Sequence, residues 1–245
     1  ASATLLGCER RERSQGQGGD VVSTSSDGAA TESSLEWIST DGTRFVDSVG
    51  REVLLRGVIT LTHYNRGQPV EYGSATYERM ASLGVTYQSI RLYADPLGAM
   101  GDATFDDEYL SRVDQMIADA AAAGIYSQLK MTVYDTTGGR IENFDEDQWA
   151  AFWQNGAQQE QWIEAWSRLW ERYRDEPAVV GYDLLNEPKQ GSLGIANEEF
   201  ELQYLAPFYR RAITRLRQID DRHLVYVQPA LLHFDAQADR VLYAP

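Results

Sequence analysis

Asn186, Glu187 and Pro188 close an apolar run that extends from Ala178 through Leu185, interrupted by Gly181 and Asp183. A strand ending in this way puts an amide and a carboxyl group side by side, facing a cleft rather than bulk solvent. Partial desolvation raises the pKa of a carboxyl group, so Glu187 is expected to hold a proton near neutral pH and deliver it. That is the general acid a departing glycosidic oxygen needs. Asn186 would donate to a sugar hydroxyl, typically the 2-OH, where a bond strengthens as an oxocarbenium ion forms. Pro188 stops the strand just past the acid.

The elements that must position these residues alternate along the chain. Strand-like runs fall at 53–60, 86–94, 125–134, 178–185, 223–228 and 240–244. Helical patterns fall between them at 74–83, 107–123, 157–173 and 207–219. Gly84 and Gly124 stand where helix stops are expected, and Pro207 suits a first helical turn. Two short runs flanking a turn at 47–51 predict a hairpin before the first strand. Repeated β-α units imply a parallel sheet with helices outside it. "RGVITLTHYNRG" contains no G-x-G-x-x-G, which argues against a dinucleotide fold and for an α/β barrel. In a barrel, function comes from the carboxyl ends of the strands, and those ends are polar and aromatic in this sequence.

The 245 residues carry a net charge of −15. Nucleic-acid binding, which needs clustered Lys and Arg, is therefore not expected, whereas a neutral polymer suits such a surface. Three histidines without metal-binding spacing predict no metal site, and no cofactor is expected. The single cysteine, Cys8, allows no intrachain disulfide. Leu5-Leu6-Gly7-Cys8 looks like a bacterial lipobox, so residues 1–8 are expected to be the end of a lipoprotein signal, with Cys8 the site of lipid attachment. Residues 9–34, rich in Ser, Gly and charge, read as a tether. Residues 35–245 then form the exported domain, expected to be monomeric and to reach a membrane only through the lipid anchor.

Four segments resemble glycoside hydrolase family five, the cellulase family, in the clan of retaining enzymes built on (β/α)8 TIM barrels. They are "FVDSVGREVLLRGV" (45–58), "LGVTYQSIRLY" (83–93), "AAAAGIYSQLKM" (120–131) and "VVGYDLLNEP" (179–188). The resemblance implies that Glu187 is acid and then base, that Asn186 binds the 2-OH and that Arg91 orients or charge-balances the nucleophile. Two departures stand out. The third strand ends in Thr132 and Tyr134 where many members have a histidine. An aromatic residue followed by Gly-Gly there is similar to mannanase-type members, while "NEPKQGSL" (186–193) is similar to endoglycoceramidase-type members. In addition, the family's nucleophile ends the seventh strand, and the strands counted here number only six. The sequence thus reads as the amino-terminal part of a barrel, present through about its sixth strand, without the nucleophile and inactive alone.

Substrate contacts are expected from strand ends and from the loop after the third strand: His63, Tyr64, Tyr93, Thr132, Tyr134, Trp149, Trp153 and Gln228. Sugars stack on aromatic rings, which favours these positions. Trp162, Trp166 and Trp170, spaced at i, i+4 and i+8, are assigned to packing. The expected activity is retaining hydrolysis of a β-linked oligo- or polysaccharide. The alternatives are an endoglycoceramidase-like hydrolysis of glycolipids and a non-catalytic carbohydrate-binding surface lipoprotein.

Overall fold

The computed structural model describes residues 35–62, 72–133 and 143–230, with the backbone of 64–65 and 68–69. Its frame is a parallel sheet of five strands in the order β3-β6-β7-β8-β9. These are β3 (Gly57–Leu61), β6 (Tyr87–Tyr93), β7 (Tyr126–Thr132), β8 (Val179–Asp183) and β9 (Leu224–Tyr226). The sequential order, with a helical crossover after each of the inner strands, is that of a (β/α)8 barrel. Two small hairpins lie outside the sheet: β1 (Ser39–Asp41) with β2 (Arg44–Val46), and β4 (Tyr64–Asn65) with β5 (Gln68–Pro69).

The helices are α1 (Ser74–Ser82), α2 (Asp107–Ala122), α3 (Glu146–Gln154), α4 (Gly156–Tyr173), α5 (Asn197–Phe200) and α6 (Ala206–Leu216). Their starts have local causes. Asp106 accepts from the backbone N–H of Glu108 and Tyr109 at the head of α2, and Asn155 caps α4. Asp145 and Gln148 form a reciprocal capping box at the head of α3. Trp162, Trp166 and Trp170 on α4 are fully buried against the outer face of the sheet, as their spacing predicts.

Four expectations need correction. The hairpin predicted at 47–51 is reduced to a single bridge, Val46 to Glu52, although its turn is real and is closed by Asp47, which accepts from the N–H of Val49 and Arg51. The ladder forms one turn earlier, between β1 and β2. The first sheet strand, expected to be buried over 53–60, is an edge strand in the described sheet, with Leu54 69% and Ile59 56% exposed. The stretch assigned to a loop after the third strand contains α3. Finally, Pro207 stands in the first turn of α6 as expected, but helical backbone already begins ten residues before the helix expected at 207–219, at Asn197. A π-helical turn at Glu201–Leu205 precedes the proline. The widened turn accommodates a ring that has no N–H and would crowd the carbonyl four residues back. The strand expected at 240–244 lies outside the described residues.

The two faces of the sheet differ in character. Ile90, Leu92, Leu129, Met131, Tyr182 and Leu184 join the main core under the helices. At the amino-terminal end of the strands, Ile38 and Phe45 from the β1–β2 hairpin region pack with Tyr126, Val180, Tyr87 and Leu224. An apolar plug thus closes that end. Beneath Tyr182, Asp220 is buried, and its hydrogen bonds from His223 and Tyr182 tie the end of α6 to the sheet.

Between β8 and β9 the strands approach so closely that a Cβ on Gly181 would lie 2.3 Å from the Leu224 carbonyl oxygen, a backbone atom that cannot swing away. Gly181→Ala is therefore expected to destabilise the fold by at least about 2 kcal/mol through overpacking. Urea unfolding measures this, and a loss under about 0.5 kcal/mol would show that the two strands are not in this register.

Candidate active site

Strand register brings the polar residues together. Leu61 pairs with Arg91, Arg91 with Lys130, Lys130 with Asp183 and Asp183 with Tyr226. Residues in register share a face, so these five form one row across the inner side of the sheet, opposite the helix-packed residues. The row depends on a bulge. Ser127 pairs with Val179, yet Gln128 pairs with Gly181, so Val180 is an extra residue in β8. Without it Tyr182, not Asp183, would stand beside Lys130.

Above the row the chain leaves β8 through Leu184, Leu185, Asn186 and Glu187. Glu187 has φ 51°, the only positive φ at a non-glycine among the described residues. A left-handed conformation costs an L-residue about 1–2 kcal/mol. The backbone groups around it are held from all sides. The Leu184 carbonyl accepts from both Trp162 Nε1 and Trp166 Nε1, each at 3.0 Å. The Asn186 N–H donates to the Met131 carbonyl at 3.0 Å. The Glu187 N–H donates to Gln228 Oε1 at 2.9 Å. Trp153 Nε1 donates to the Lys189 carbonyl at 2.6 Å. Further on, Gly191 sits so close to α3 that a Cβ would meet the Glu146 carbonyl oxygen at 2.2 Å.

The electrostatics centre on Asp183. Burial pushes its carboxyl group up to about 6, against the opposing pull of the Gln228 amide, the Lys130 ammonium and the Leu185 backbone. Burial also lowers Lys130, opposed by Asp183 and Glu187, with Arg91 adding to the lowering. Two cations, Arg91 and Lys130, and two carboxyl groups, Asp183 and Glu187, therefore interact at the carboxyl ends of the strands. Among the described residues no group of three or more His, Cys, Asp or Glu is gathered to hold a metal ion.

Of the residues singled out in the sequence, Arg91, Asn186, Glu187 and Gln228 come together. Asn186 is buried, while Glu187 and Arg91 are half-exposed. Four of the expected cleft residues are buried. Tyr93 and Thr132 are fully buried, and the Thr132 hydroxyl donates to the Leu92 carbonyl. Trp149 and Trp153 stand on α3 rather than on a loop and are buried in an aromatic cluster with Phe144, Phe152, Phe200 and Phe208. Neither ring offers a free face for stacking. The side chains of His63, Tyr64 and Tyr134, and Cys8, lie outside the described residues. Sequence reasoning missed Asp183 and Lys130. The signal was available, since each is the lone charge inside its strand.

The five-stranded parallel sheet presents an amide and a carboxyl group, Asn186 and Glu187, just past its fourth strand. The chain belongs to the cellulase family, glycosyl hydrolase family 5, whose model matches residues 46–237. It is 23% identical to a β-xylosidase from Phanerodontia chrysosporium over 79% of this chain and 46% of that protein. It is 27% identical to an endoglycoceramidase from Cyanea nozakii over 47% of this chain and 19% of that one. Among solved structures, an endogalactoceramidase superposes with a TM-score of 0.69 at 26% identity, covering 81% of this chain and 54% of that one. The endo-glycoceramidase II of Rhodococcus sp., bound to a cellobiose-like isofagomine, gives 0.65 at 23%, covering 76% and 52%. The chain thus spans about half the length of these structures.

The Asp183 environment predicts a pH dependence of stability. Its folded pKa of about 6 lies above the ordinary 3.8. Below pH 3.8 the group is protonated in both states and costs nothing; as pH rises toward 6 the folded state resists ionisation and stability is lost. Relative to Asp183→Asn, the native chain is expected to lose about 1–3 kcal/mol between pH 4 and pH 6.5. Denaturant unfolding across that range checks it, and parallel pH curves for the two chains would refute it.

Proposed function

We propose that the protein is a retaining β-glycoside hydrolase acting on a β-linked oligo- or polysaccharide by double displacement. The observation that carries this reading is the presentation of Asn186 and Glu187 over the Arg91–Lys130–Asp183 row in a member of this family. In the first step a carboxylate nucleophile attacks the anomeric carbon, the glycosidic bond breaks, and the Glu187 proton passes to the departing oxygen. In the second, the Glu187 carboxylate takes a proton from water as the water oxygen displaces the nucleophile and frees the sugar. Asn186 donates to the 2-OH in both steps, and Arg91 faces the nucleophile. We place the nucleophile on a glutamate at the end of a seventh strand, outside the described residues, about 5–5.5 Å from the Glu187 carboxyl group.

Glycolipid hydrolysis is a second reading, favoured by the likeness to endoglycoceramidase and endogalactoceramidase and by the segment "NEPKQGSL" at 186–193. We also infer an exported monomer attached to a membrane by lipid at Cys8, from the Leu5–Cys8 lipobox. Metabolic palmitate labelling that persists in Cys8→Ser would refute the anchor.

The activity is tested in the protein expressed from the complete gene. Glu187→Gln is expected to lower kcat on p-nitrophenyl β-lactoside by about 10²–10⁴-fold, and replacing the seventh-strand glutamate should abolish turnover. Release of an intact glycan from lactosylceramide would select the glycolipid reading. Full activity of Glu187→Gln, or a gene with no such glutamate, would overturn the mechanism.

A further inference from the structure

The segment that carries Glu187 depends on the strand beside it as well as on its own. Two residues past β9, the backbone of Gln228 is pinned to α6. The Tyr209 phenol donates to the Gln228 carbonyl at 2.9 Å and receives the Gln228 N–H at 3.3 Å. Tyr209 itself is buried. With its backbone fixed, the Gln228 amide lies between two partners: Oε1 accepts from the Glu187 N–H at 2.9 Å and Nε2 donates to Asp183 Oδ2 at 2.7 Å. The backbone N–H can only donate, so it settles which end of the amide is oxygen. That in turn leaves the NH2 group facing the Asp183 carboxyl group. Asp183 is anchored in the sheet, paired in register with Lys130 and Tyr226.

We propose that Gln228, held by Asp183, is a positioning residue for Glu187, fixing the Asn186–Glu187 peptide plane so that the left-handed backbone aims the carboxyl group into the site. This rests on the reading of Glu187 as acid and base. It gives Gln228 a different role from the substrate contact expected from sequence, since both ends of its amide are occupied by the protein. It also explains why an acid is retained in a buried strand: Asp183 completes the amide's second bond and fixes its orientation. The other groups that face Asp183 are Lys130 on β7, Tyr87 on β6, Tyr226 on β9 and Tyr209 on α6. Arg91 and Glu187 reach the same pocket through Lys130.

The test uses the complete protein and p-nitrophenyl β-lactoside. Gln228→Leu is expected to lower kcat about 30–100-fold while KM does not rise, the pattern of a misdirected catalytic group. Asp183→Asn, whose amide oxygen still accepts from Nε2, should keep kcat within about fivefold, and Asp183→Leu should not. The double variant Gln228→Leu/Asp183→Leu should be no slower than Gln228→Leu by more than about threefold, because the two act through one chain of bonds. Azide, which needs no base, should accelerate both Gln228→Leu and Glu187→Gln. If Gln228→Leu fails to fold, Gln228→Glu keeps the shape and the acceptor but not the donor. It should lose activity at high pH, where both carboxyl groups ionise, and regain it as the pH falls and the pair takes up a shared proton. A tenfold rise in KM at unchanged kcat would make Gln228 a sugar ligand and overturn the proposal, as would additive losses in the double variant. An inactive Glu187→Gln beside a fully active Gln228→Leu would sink the positioning role alone. A fully active Glu187→Gln would sink the acid/base reading and this proposal with it.

Discussion

Glu187 adopts a backbone conformation that an L-residue avoids, and most of the polar bonding around the site acts to keep it there. The peptide groups from Leu184 to Lys189 are bonded to α3, α4, β7 and the segment after β9. The sheet supplies only part of this: β8 ends at Asp183, the Leu184 N–H still reaches the Tyr226 carbonyl and the Asn186 N–H the Met131 carbonyl, and side chains supply the rest. Indole N–H groups take over part of that work. Trp153, Trp162 and Trp166 are core residues by burial, yet each uses its single donor on a carbonyl of the acid segment. Packing and site geometry are thus one problem: the rings that bury α3 and α4 against the sheet also fix where the carboxyl group can point.

The same economy governs charge. Arg91, Lys130 and Asp183 stand in one row on adjacent strands, a placement that would be costly for any one of them alone. Together they partly compensate one another, and the residual strain appears as the raised Asp183 and the lowered Lys130. The apolar plug at the other end of the strands makes the contrast plain. Polar side chains concentrate at the carboxyl ends, where a substrate would displace water, and apolar ones fill the end that nothing enters.

Much of this was legible in the sequence. Alternating β and α patterns, with Gly84 and Gly124 as helix stops, predicted the parallel sheet, and both glycines have the positive φ that such stops require. What escaped has physical causes. The stretch that forms α3 reads as a loop because tryptophans near a strand end suggest a sugar site. Yet Asp145 and Gln148 spell a capping box, and Trp149, Phe152 and Trp153 follow at i, i+3 and i+4 spacing. Pro207 does stand in the first turn of α6, but the π turn that joins α6 to α5 has no signature that proline alone announces. Thr132 has the right type for a sugar contact, but side-chain type does not say that the protein itself will use its hydroxyl, here on the Leu92 carbonyl.

The bulge in β8 shows most clearly why the site could be only half read. A run such as "VVGYDLL" has no alternation, so nothing in its pattern says which residues face the helices and which face the barrel interior. That parity is decided by pairing with β7, and there a single extra residue, Val180, reverses it. Upstream of the reversal Val180 joins the plug; downstream Tyr182 turns outward to Trp166 and Trp170 while Asp183 turns inward to Lys130 and Gln228. Had the strand run without the bulge, the carboxyl group would lie under α4, among indoles that offer it no countercharge. The one-residue irregularity therefore sets the chemistry of the pocket: it moves a lone acid from the apolar side of the sheet to the side where an amide and an ammonium can hold it.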